Sequence, residues 1–461
     1  MKRCLIILVL LSACSSDVDT QNNGQTLVIE VDQGGTEDTS GDSSTTPDVG
    51  DVSVEEDLGG STACGENLKY EGVKAILAGG KNNPTGRGEQ GAIFDPCNQR
   101  VILFGGNDQQ PEQCASFGAK NYLGDTWGYS LEFKNWYRIE TQTAPSARGR
   151  FVYAFDTKRK NMVIFGGRFR AGGSGNYTMY NETWSFNVVS DEWEEIKVTG
   201  DKPIARINSA MVYDEKNDRF IMFGGNSSAS GLSFSPLNDT WIFTPSDNKW
   251  EKIQTANSPS RRLYHSMAID TASNKAIVYS GGDENAFVGP FTDDLHALDL
   301  DTLSWEKLYT GNGTSANPKA RINSQLIEDK EQGRLLLFGG HDDGFLGNDN
   351  DLWSFDVASK SFTLIERGDV YSGEGCSSFC TCPSTFVNYN LEVPERRSYP
   401  TFVTDLVNNQ IIMFGGTGDC GYMDDTWFLH LDTNKWEEVH EAEQGISCER
   451  TDRAECTELC F

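Results

Sequence analysis

The sequence predicts an all-β fold, a six-bladed β-propeller with four antiparallel strands in each blade, preceded by a disordered N-terminal tether. Two observations predict it. An apolar run ending in a glycine doublet occurs six times, and an aromatic pair of constant spacing follows each doublet. A repeat of about 57 residues with four short strands is typical of a propeller blade. The doublets begin at residues 105, 166, 224, 281, 339 and 415.

The innermost strand of each blade, strand a, is predicted from a Pro-x-x-Arg motif and an apolar stretch that ends in aspartate eight residues after the arginine. The aspartates are Asp95, Asp156, Asp214, Asp270, Asp329 and Asp405. The arginines are Arg87, Arg148, Arg206, Arg262, Arg321 and Arg397. They are predicted to form an axial ring at one mouth of the channel. Such a ring could hold a carboxylate or sulfate, or each arginine could instead bond loop carbonyls or an acidic neighbour.

Strand b ends at the doublet, and strands c and d each carry one member of the aromatic pair, nine residues apart. All ten tryptophans fall in these two columns, which indicates a core role. Each buried indole contributes roughly 4–6 kcal/mol before entropy is counted. The pairs are Trp127/Trp136, Trp184/Trp193, Trp241/Trp250, His296/Trp305, Trp353/Phe362 and Trp427/Trp436.

The order of these signals resembles the Kelch repeat of galactose oxidase central domain-like propellers. The glycine doublet is followed by an acidic-Thr-Trp triplet such as "DTW", then by a second tryptophan and the next Pro-x-x-Arg. The resemblance covers residues 70–440 and implies six Kelch blades. A stretch at 72–87, "GVKAILAGGKNNPTGR", imitates the end of a repeat and predicts an extra outer strand near 72–80, at the closure of the ring.

The b–c loops and the d–a connections share one face of the predicted propeller, and their lengths vary. The a–b and c–d turns of the opposite face are uniform: the arginine lies 18 residues before the doublet in five repeats and 19 in one. The longest d–a connection, from Phe362 to Arg397, contains "GCSSFCTCPS" at 375–384. Variable loops on a rigid scaffold usually carry function, so this face is the predicted functional face.

Ten of the twelve cysteines are predicted to form five disulfides, because an even number in an exported chain favours a disulfide framework. We predict one bridge, Cys64–Cys97, on the face of the a–b turns. The other eight fall on the opposite face and are predicted to staple the insertion and the C-terminal tail over the ring closure. They are Cys114, Cys376, Cys380, Cys382, Cys420, Cys448, Cys456 and Cys460.

The N-terminus, "MKRCLIILVLLSACSS", has a basic start and an apolar run too short to span a membrane. Its Leu-Ser-Ala-Cys ending resembles the lipobox of bacterial lipoproteins. The resemblance implies a signal peptide over 1–13 and a lipidated Cys14 that anchors the chain to the outer membrane, facing the periplasm or the cell surface. An ordinary secretory signal with a chance cysteine is the alternative.

Four segments are therefore predicted: the signal peptide (1–13), a disordered acidic tether (14–63), the propeller (64–445) and a Cys-rich tail (446–461). The tether holds twelve Asp and Glu and no Lys or Arg, and it lacks aromatic residues that could form a core. The chain carries a net charge of −29, of which −19 belongs to residues 64–461. This charge argues against nucleic acid as a partner.

No metal, cofactor or catalytic residue is predicted. The Cys-x3-Cys-x-Cys cluster has no histidine near in sequence to complete a zinc site, and the acidic stretch around Asp342, Asp343, Asp349 and Asp351 does not match an EF-hand. The histidines do not fit the copper or iron sites of propeller enzymes. A metal-free carbohydrate-active enzyme of the mutarotase or isomerase type, working at the axial mouth, stays open as the alternative, as does a purely structural envelope spacer.

The variable loops place aromatic residues, histidine and arginine on a polar backbone, a composition that favours recognition. We predict a monomeric, membrane-anchored binding module outside the cytoplasm that recognises a protein or a glycan. The candidate ligand-binding residues are Phe117, Tyr122, Arg168, Phe169, Arg170, Tyr177, Tyr180, His341, Phe345, Phe379, Tyr389 and Tyr422.

Overall fold

Six four-stranded antiparallel sheets, blades 1 to 6, make up the computed structural model of the chain. It describes residues 83–108, 121–172, 175–231, 233–286, 289–311, 316–342, 347–373, 387–418 and 421–443. All of these belong to the second of two compact units of the chain, Gly60–Phe461. Each blade corresponds to one sequence repeat, so the predicted six-bladed all-β fold is confirmed.

Blades 1 to 3 account for the first fourteen strands. Blade 1 contains β1 (Gly91–Asp95), β2 (Arg100–Phe104), β3 (Thr126–Ser130) and β4 (Asn135–Ile139). Blade 2 and the hairpin above it contain β5 (Val152–Asp156), β6 (Asn161–Phe165), β7 (Arg168–Phe169), β8 (Thr178–Met179), β9 (Thr183–Asn187) and β10 (Glu192–Ile196). Blade 3 contains β11 (Ala210–Asp214), β12 (Arg219–Asn226), β13 (Pro236–Thr244) and β14 (Lys249–Ile253).

Blades 4 to 6 account for the remainder. Blade 4 contains β15 (Ser266–Asp270), β16 (Lys275–Tyr279), β17 (Leu295–Asp299) and β18 (Trp305–Tyr309). Blade 5 and two short hairpins contain β19 (Arg321–Ile322), β20 (Gln325–Asp329), β21 (Arg334–Phe338), β22 (His341–Asp342), β23 (Leu352–Asp356), β24 (Ser361–Glu366), β25 (Val370–Tyr371) and β26 (Val387–Asn388). Blade 6 contains β27 (Thr401–Asp405), β28 (Gln410–Gly418), β29 (Gly421–His430) and β30 (Lys435–His440).

The first strands of the six blades surround the axis, and each contacts the first strand of the next blade. The ring closes where β27 of blade 6 contacts β1 of blade 1. Within the described ranges, each blade takes its four strands from one continuous segment of the chain. The extra strand predicted near 72–80 lies outside the described residues.

The apolar cores lie between neighbouring blades, and the two aromatic columns contribute to them as predicted. The threonine of the "DTW" triplet adds a hydrogen bond between blades. Trp136 Nε1 donates to Thr426 Oγ1 at 3.3 Å, which links blade 1 to blade 6. Trp193 and Trp250 make the same bond to Thr126 and Thr183 of their preceding blades. The triplet therefore joins one blade to the next.

The a–b turns are built alike because the aspartate that ends strand a caps the turn. In blade 1, Asp95 Oδ1 accepts the backbone N–H of Cys97 at 2.9 Å, and Asp95 is fully buried. The last residue of each a–b turn has a left-handed φ. This repeated geometry confirms that the face of the a–b turns is uniform. The described residues form no helix, and hence none long and apolar enough to cross a membrane.

Candidate functional site

The six arginines of the Pro-x-x-Arg motifs do not line the axial cavity, and the prediction of an axial ring at these positions is wrong. Each guanidinium is at most 1% exposed and forms an ion pair with the acidic residue of its own blade's triplet. Nη1 also donates to the carbonyl that ends strand b. The ion pairs are Arg87–Asp125, Arg148–Glu182, Arg206–Asp239, Arg262–Asp294, Arg321–Asp351 and Arg397–Asp425.

The main chain of the same arginines joins neighbouring blades. The carbonyl of Arg148 accepts the N–H of Gly106 in the preceding blade at 2.9 Å, and the carbonyl of Arg87 accepts that of Gly416 to close the ring. A side chain on Gly105 would meet the Arg148 carbonyl oxygen at 2.8 Å, and Gly105 has a φ of +66°. The doublet and the arginine thus have a structural role, which was the alternative to the anion-binding ring.

In blade 4, strand b ends one residue earlier than the position of the glycine doublet predicts. Ser280, and not the first glycine of the doublet, occupies the position that ends strand b, and its carbonyl accepts Arg262 Nη1 at 2.9 Å. Ser280 adopts a φ of +58°. The spacing from arginine to this position is therefore 18 residues in all six blades. The serine hydroxyl donates to the carbonyl of Arg321 at 2.6 Å, which anchors an otherwise unfavourable backbone conformation.

The residues that surround the axis lie two positions after each arginine, and we call them the axial ring. All six have left-handed φ angles although none is glycine. The backbone requires this conformation, because the N–H of each residue from Arg150 onward donates to the carbonyl of the ring residue in the preceding blade. Four residue types fill the six positions, so the repeat pattern gave no signal for the ring. The axial ring consists of Glu89, Arg150, Asn208, Tyr264, Asn323 and Tyr399.

Arg150 lies between two tyrosines of the axial ring and closes the axis at this level. Its guanidinium carbon is 5.2 Å from the ring centres of both Tyr264 and Tyr399. Nε donates to Glu89 Oε1 at 2.5 Å, and Arg168 Nη2 donates to the same oxygen at 3.0 Å. Burial alone would lower the pKa of Arg150, but the Glu89 carboxylate and the tyrosine hydroxyls raise it well above its usual value. The guanidinium is therefore permanently charged.

A cavity of about 680 Å³ extends along the axis from the axial ring to the a–b turns. Glu89, Arg150, Tyr264 and the other ring residues form one end of the cavity. The innermost strands form its wall, and Lys216 and Leu406 lie at the far end. On the predicted functional face, the axial mouth is therefore closed by the axial ring.

A second layer of side chains covers the axial ring on the functional face. Arg168 stacks on Tyr177 with its guanidinium carbon 4.0 Å from the ring centre. Tyr122 contacts Tyr177 edge to face at 6.4 Å, and Tyr422 packs near Gly88. Arg168, Tyr122, Tyr177 and Tyr422 are all buried, at 8% exposure or less. These four predicted ligand-binding residues thus pack the loops over the axis, and they are not exposed to a partner.

The hairpin of β7 and β8 presents the other predicted residues of blade 2 at the surface. Phe169, Arg170 and Tyr180 are partly exposed. The guanidinium of Arg170 stacks on Tyr177 at 4.3 Å, and Phe169 contacts Tyr122 at 5.8 Å. The hairpin is fixed to blade 3, because the N–H of Tyr177 donates to the carbonyl of Ala229 at 2.9 Å. The aromatic and cationic groups of the hairpin are held in place before any partner arrives.

The remaining predicted residues are spread over the functional face. His341 is partly buried in β22, where its ring lies 6.4 Å from that of Phe291. Tyr389 is partly buried beside Arg396 at 5.8 Å. Phe117, Phe345, Phe379 and Cys14 lie outside the described residues, as do all the predicted disulfide cysteines except Cys97. Cys97 is disulfide-bonded, and its pairing with Cys64 stays a prediction.

The acidic groups of blade 5 are neutralised by cations of the protein. Arg321 pairs with Asp351 at 2.6 Å and with Asp349 at 3.6 Å, and Lys319 pairs with Asp342. Burial raises the pKa of Asp349, although Arg321 acts in the opposite direction. In the described part of the chain, no group of three or more His, Cys, Asp or Glu is arranged to hold a metal ion.

The sequence matches the KLHDC2/KLHL20/DRC7 Kelch-repeats domain over residues 74–269 and 217–391, which together span more than half of the chain. The chain belongs to the Kelch-repeat family. The matched region includes the Arg–acid pairs and glycine doublets of the first five blades. The Arg–acid pairs and the doublets recur from blade to blade, whereas the axial ring and the hairpin carry residues that differ from blade to blade.

Kelch domain-containing protein 10 of Xenopus laevis is 24% identical over 314 residues, which cover 67% of this chain and 68% of that protein. The host cell factor homolog hcf-1 of Caenorhabditis elegans is 26% identical over 55% of this chain, and human host cell factor 2 is 24% identical over 66% of it. The similarity covers only 33% and 36% of these two proteins. All three Kelch relatives are animal proteins, and they give no support to the predicted bacterial lipoprotein.

Proposed function

We propose that this Kelch propeller is a protein-binding module whose contact site is the hairpin surface, defined by Phe169, Arg170, Thr178 and Tyr180. The observation that carries the proposal is the stacked arrangement of the hairpin. Arg170 and Phe169 are partly exposed, yet each is held against a buried tyrosine of the layer below. These contacts fix the exposed side chains in positions that suit contact with a partner.

The hairpin surface has the physical properties of an interface hot spot. Tyrosine, phenylalanine and arginine contribute much of the binding energy at protein interfaces. Because Tyr177 already holds Arg170, little side-chain entropy is lost when a partner binds. Arg170 gives this surface a positive charge in a chain of net charge −29, which favours an acidic group on the partner.

The geometry does not favour the alternative hypothesis of a carbohydrate-active enzyme. An enzyme at the axial mouth requires an ionised group that can reach a substrate. Arg150, Arg168 and Glu89 are all buried at the mouth on the functional face, and they pair with one another. Recognition of a glycan through the tyrosines of the hairpin surface is the second outcome that the capture experiment below distinguishes.

The same proposal includes display of the propeller from a membrane. The Leu-Ser-Ala-Cys motif supports lipidation of Cys14, and the acidic composition of residues 14–63 supports a tether that separates the propeller from the membrane. Metabolic labelling with a radioactive fatty acid tests this part. We expect label on the wild-type chain and none on Cys14→Ser. Equal labelling of both would contradict lipidation at this residue.

Affinity capture from an extract of the source cells, together with a glycan array, tests the hairpin surface. The bait is the full chain, compared with the double variant Phe169→Ala/Arg170→Ala. The matched control is Lys158→Ala/Val189→Ala, on the turns of the same blade at the opposite face. We expect a protein retained by the wild type and the control and lost from the hairpin variant. Retention of the same protein by all three baits would mean that the contact site lies elsewhere on the propeller. Binding detected only on the glycan array would favour a glycan as the ligand.

A further inference from the structure

The junction between blade 6 and blade 1, which we call the closing seam, differs from the other five junctions of the ring. Consecutive blades are joined by the main chain, because each blade takes its four strands from one continuous segment. Within the described ranges, no stretch of main chain crosses the closing seam. The two blades meet there through contacts such as the Trp136–Thr426 hydrogen bond and the exposed Lys134–Glu437 ion pair. A further segment that joined them would do what the chain does at the other five junctions.

The a–b turn of blade 6 carries two adjacent, exposed apolar side chains, which we call the seam patch. Leu406 is 60% exposed and Val407 is 54% exposed, and they are two of the five large apolar side chains exposed in the described residues. The turn does not need them, because Asp405 caps it as the other aspartates cap their turns. In blades 2 to 5 the same two positions hold no large apolar side chain: Thr157/Lys158, Glu215/Lys216, Thr271/Ala272 and Lys330/Glu331.

The seam patch lies at the closing seam because each a–b turn meets the c–d turn of the following blade. Lys216, at the position of Val407 in blade 3, pairs with Asp301 on the c–d turn of blade 4 at 2.9 Å. Gln332 of blade 5 donates to the carbonyl of Leu431 on the c–d turn of blade 6. The same geometry directs Val407 towards blade 1.

Cys97 lies on the blade 1 side of the closing seam, also on an a–b turn. It is disulfide-bonded and 9% exposed. The eleven other cysteines lie outside the described residues, so the bond attaches one of those segments to blade 1 at this face. Residues from Gly60 onward belong to the compact unit of the propeller. The predicted partner, Cys64, falls at the start of that unit, and two apolar residues, Leu68 and Tyr70, follow it closely.

We propose that residues 65–70, attached to blade 1 through a Cys64–Cys97 disulfide, bind the seam patch through Leu68 and Tyr70. The segment would tie blade 6 to blade 1 and remove the exposed apolar surface of Leu406 and Val407 from water. Attachment to Cys97 keeps the segment at a high effective concentration beside the patch. A second copy of the chain is a poorer occupant, because two side chains bury far less area than a stable dimer needs.

The length of the chain permits this arrangement. Leu68 follows Cys64 by four residues, which extend over about 14 Å at most. Packed sheets lie about 10 Å apart, so the segment can reach from the turn of blade 1 to that of blade 6. The described chain resumes at residue 83, in the connection that enters strand a of blade 1 from the functional face. Residues 71–82 can extend over about 40 Å, more than the roughly 17 Å of a five-residue strand.

Photo-crosslinking on the full chain tests the proposal. A benzophenone amino acid replaces Val407 in one variant, and in the control it replaces the exposed Ala272, which holds the same turn position in blade 4. We expect position 407 to crosslink within the chain to residues 65–70, as located by peptide mapping, and position 272 to form no such crosslink. Mapping without reduction should pair Cys97 with Cys64. A different partner for Cys97, or a crosslink from position 407 only to residues 446–461, only to a second chain or to nothing, would overturn the proposal.

Three variants of the position 407 crosslinker separate the disulfide from the apolar contact. Cys64→Ser should lower the yield of the crosslink at least about tenfold, because the segment is no longer attached beside the patch. Leu68→Asp keeps the disulfide and should also lower the yield, whereas Leu68→Met should not. A yield unchanged by Leu68→Asp would overturn the proposal even if Cys64→Ser failed to fold. Phe169→Ala/Arg170→Ala should leave the yield unchanged, so this result is independent of the proposed protein partner.

Discussion

Replacing Arg397 by leucine should destabilise the propeller far more than removing a surface charge, because the guanidinium joins two strands of its blade. It pairs with Asp425 through bonds of 2.6 and 2.7 Å and donates to the carbonyls of Gly415 and Glu395 at 3.0 and 2.8 Å. Arg397 is fully buried and Asp425 is 2% exposed. Arg397→Leu leaves the Asp425 carboxylate buried without its counter-charge.

Loss of one partner from a buried ion pair costs about 3–5 kcal/mol, so we expect a loss of about 4 kcal/mol in the free energy of unfolding. The double variant Arg397→Leu/Asp425→Leu should recover part of this loss, because no unpaired charge remains. The control is Lys216→Ala in the exposed Lys216–Asp301 pair, with an expected cost below about 1 kcal/mol. Urea unfolding followed by tryptophan fluorescence gives the comparison. Equal costs for Arg397→Leu and Lys216→Ala would refute the structural role assigned to the arginines.

Three further changes test the links between blades and the core. Thr426→Val removes the acceptor of Trp136 Nε1 and should cost about 1–2 kcal/mol in urea unfolding; no measurable change would show that this bond contributes nothing. Gly105→Ala forces a Cβ against the Arg148 carbonyl at a left-handed φ and should cost about 2–4 kcal/mol, whereas the exposed Gly172→Ala, with open space around it, should cost less. Burial and the nearby Arg262 lower the pKa of His265 to about 3, so its contribution to stability is complete above pH 6.5 and is lost progressively as the pH falls towards 3. The wild type should lose about 2 kcal/mol more than His265→Gln between pH 6.5 and 5, and parallel pH profiles would contradict this.

Much of the fold was predictable because its signals recur with the repeat. The glycine doublet follows its arginine by 18 or 19 residues, and the aromatic pair that begins in the "DTW" triplet is always nine residues apart. Each of these motifs also forms a bond in its own blade. Spacing alone could not show which residue ends strand b in blade 4. Ser280 adopts the left-handed conformation of the glycine it replaces, and only its hydrogen bonds show that it does so.

The candidate site was less predictable, for a physical reason. The axial ring is defined by a backbone conformation that four residue types adopt at six positions, so no single residue type marks it. The arginines of the Pro-x-x-Arg motifs recur, and they were therefore predicted to lie at the axis. The residues that surround the axis are two positions further along the chain. Burial of Arg168 and Tyr177 depends on contacts between distant loops, which loop composition does not encode. Phe169 and Arg170 are partly exposed in the b–c loop of blade 2, and their role in binding stays a prediction.

Photo-crosslinking from the hairpin tests most directly the claim that this Kelch propeller binds a protein through the hairpin surface. A benzophenone amino acid replaces the exposed Thr178 in one variant and Val189, on the opposite face of the same blade, in the other. We predict a discrete crosslinked protein from position 178 that disappears when Phe169→Ala/Arg170→Ala is added, and none from position 189. Crosslinks of equal yield from both positions, or from neither, would contradict the claim.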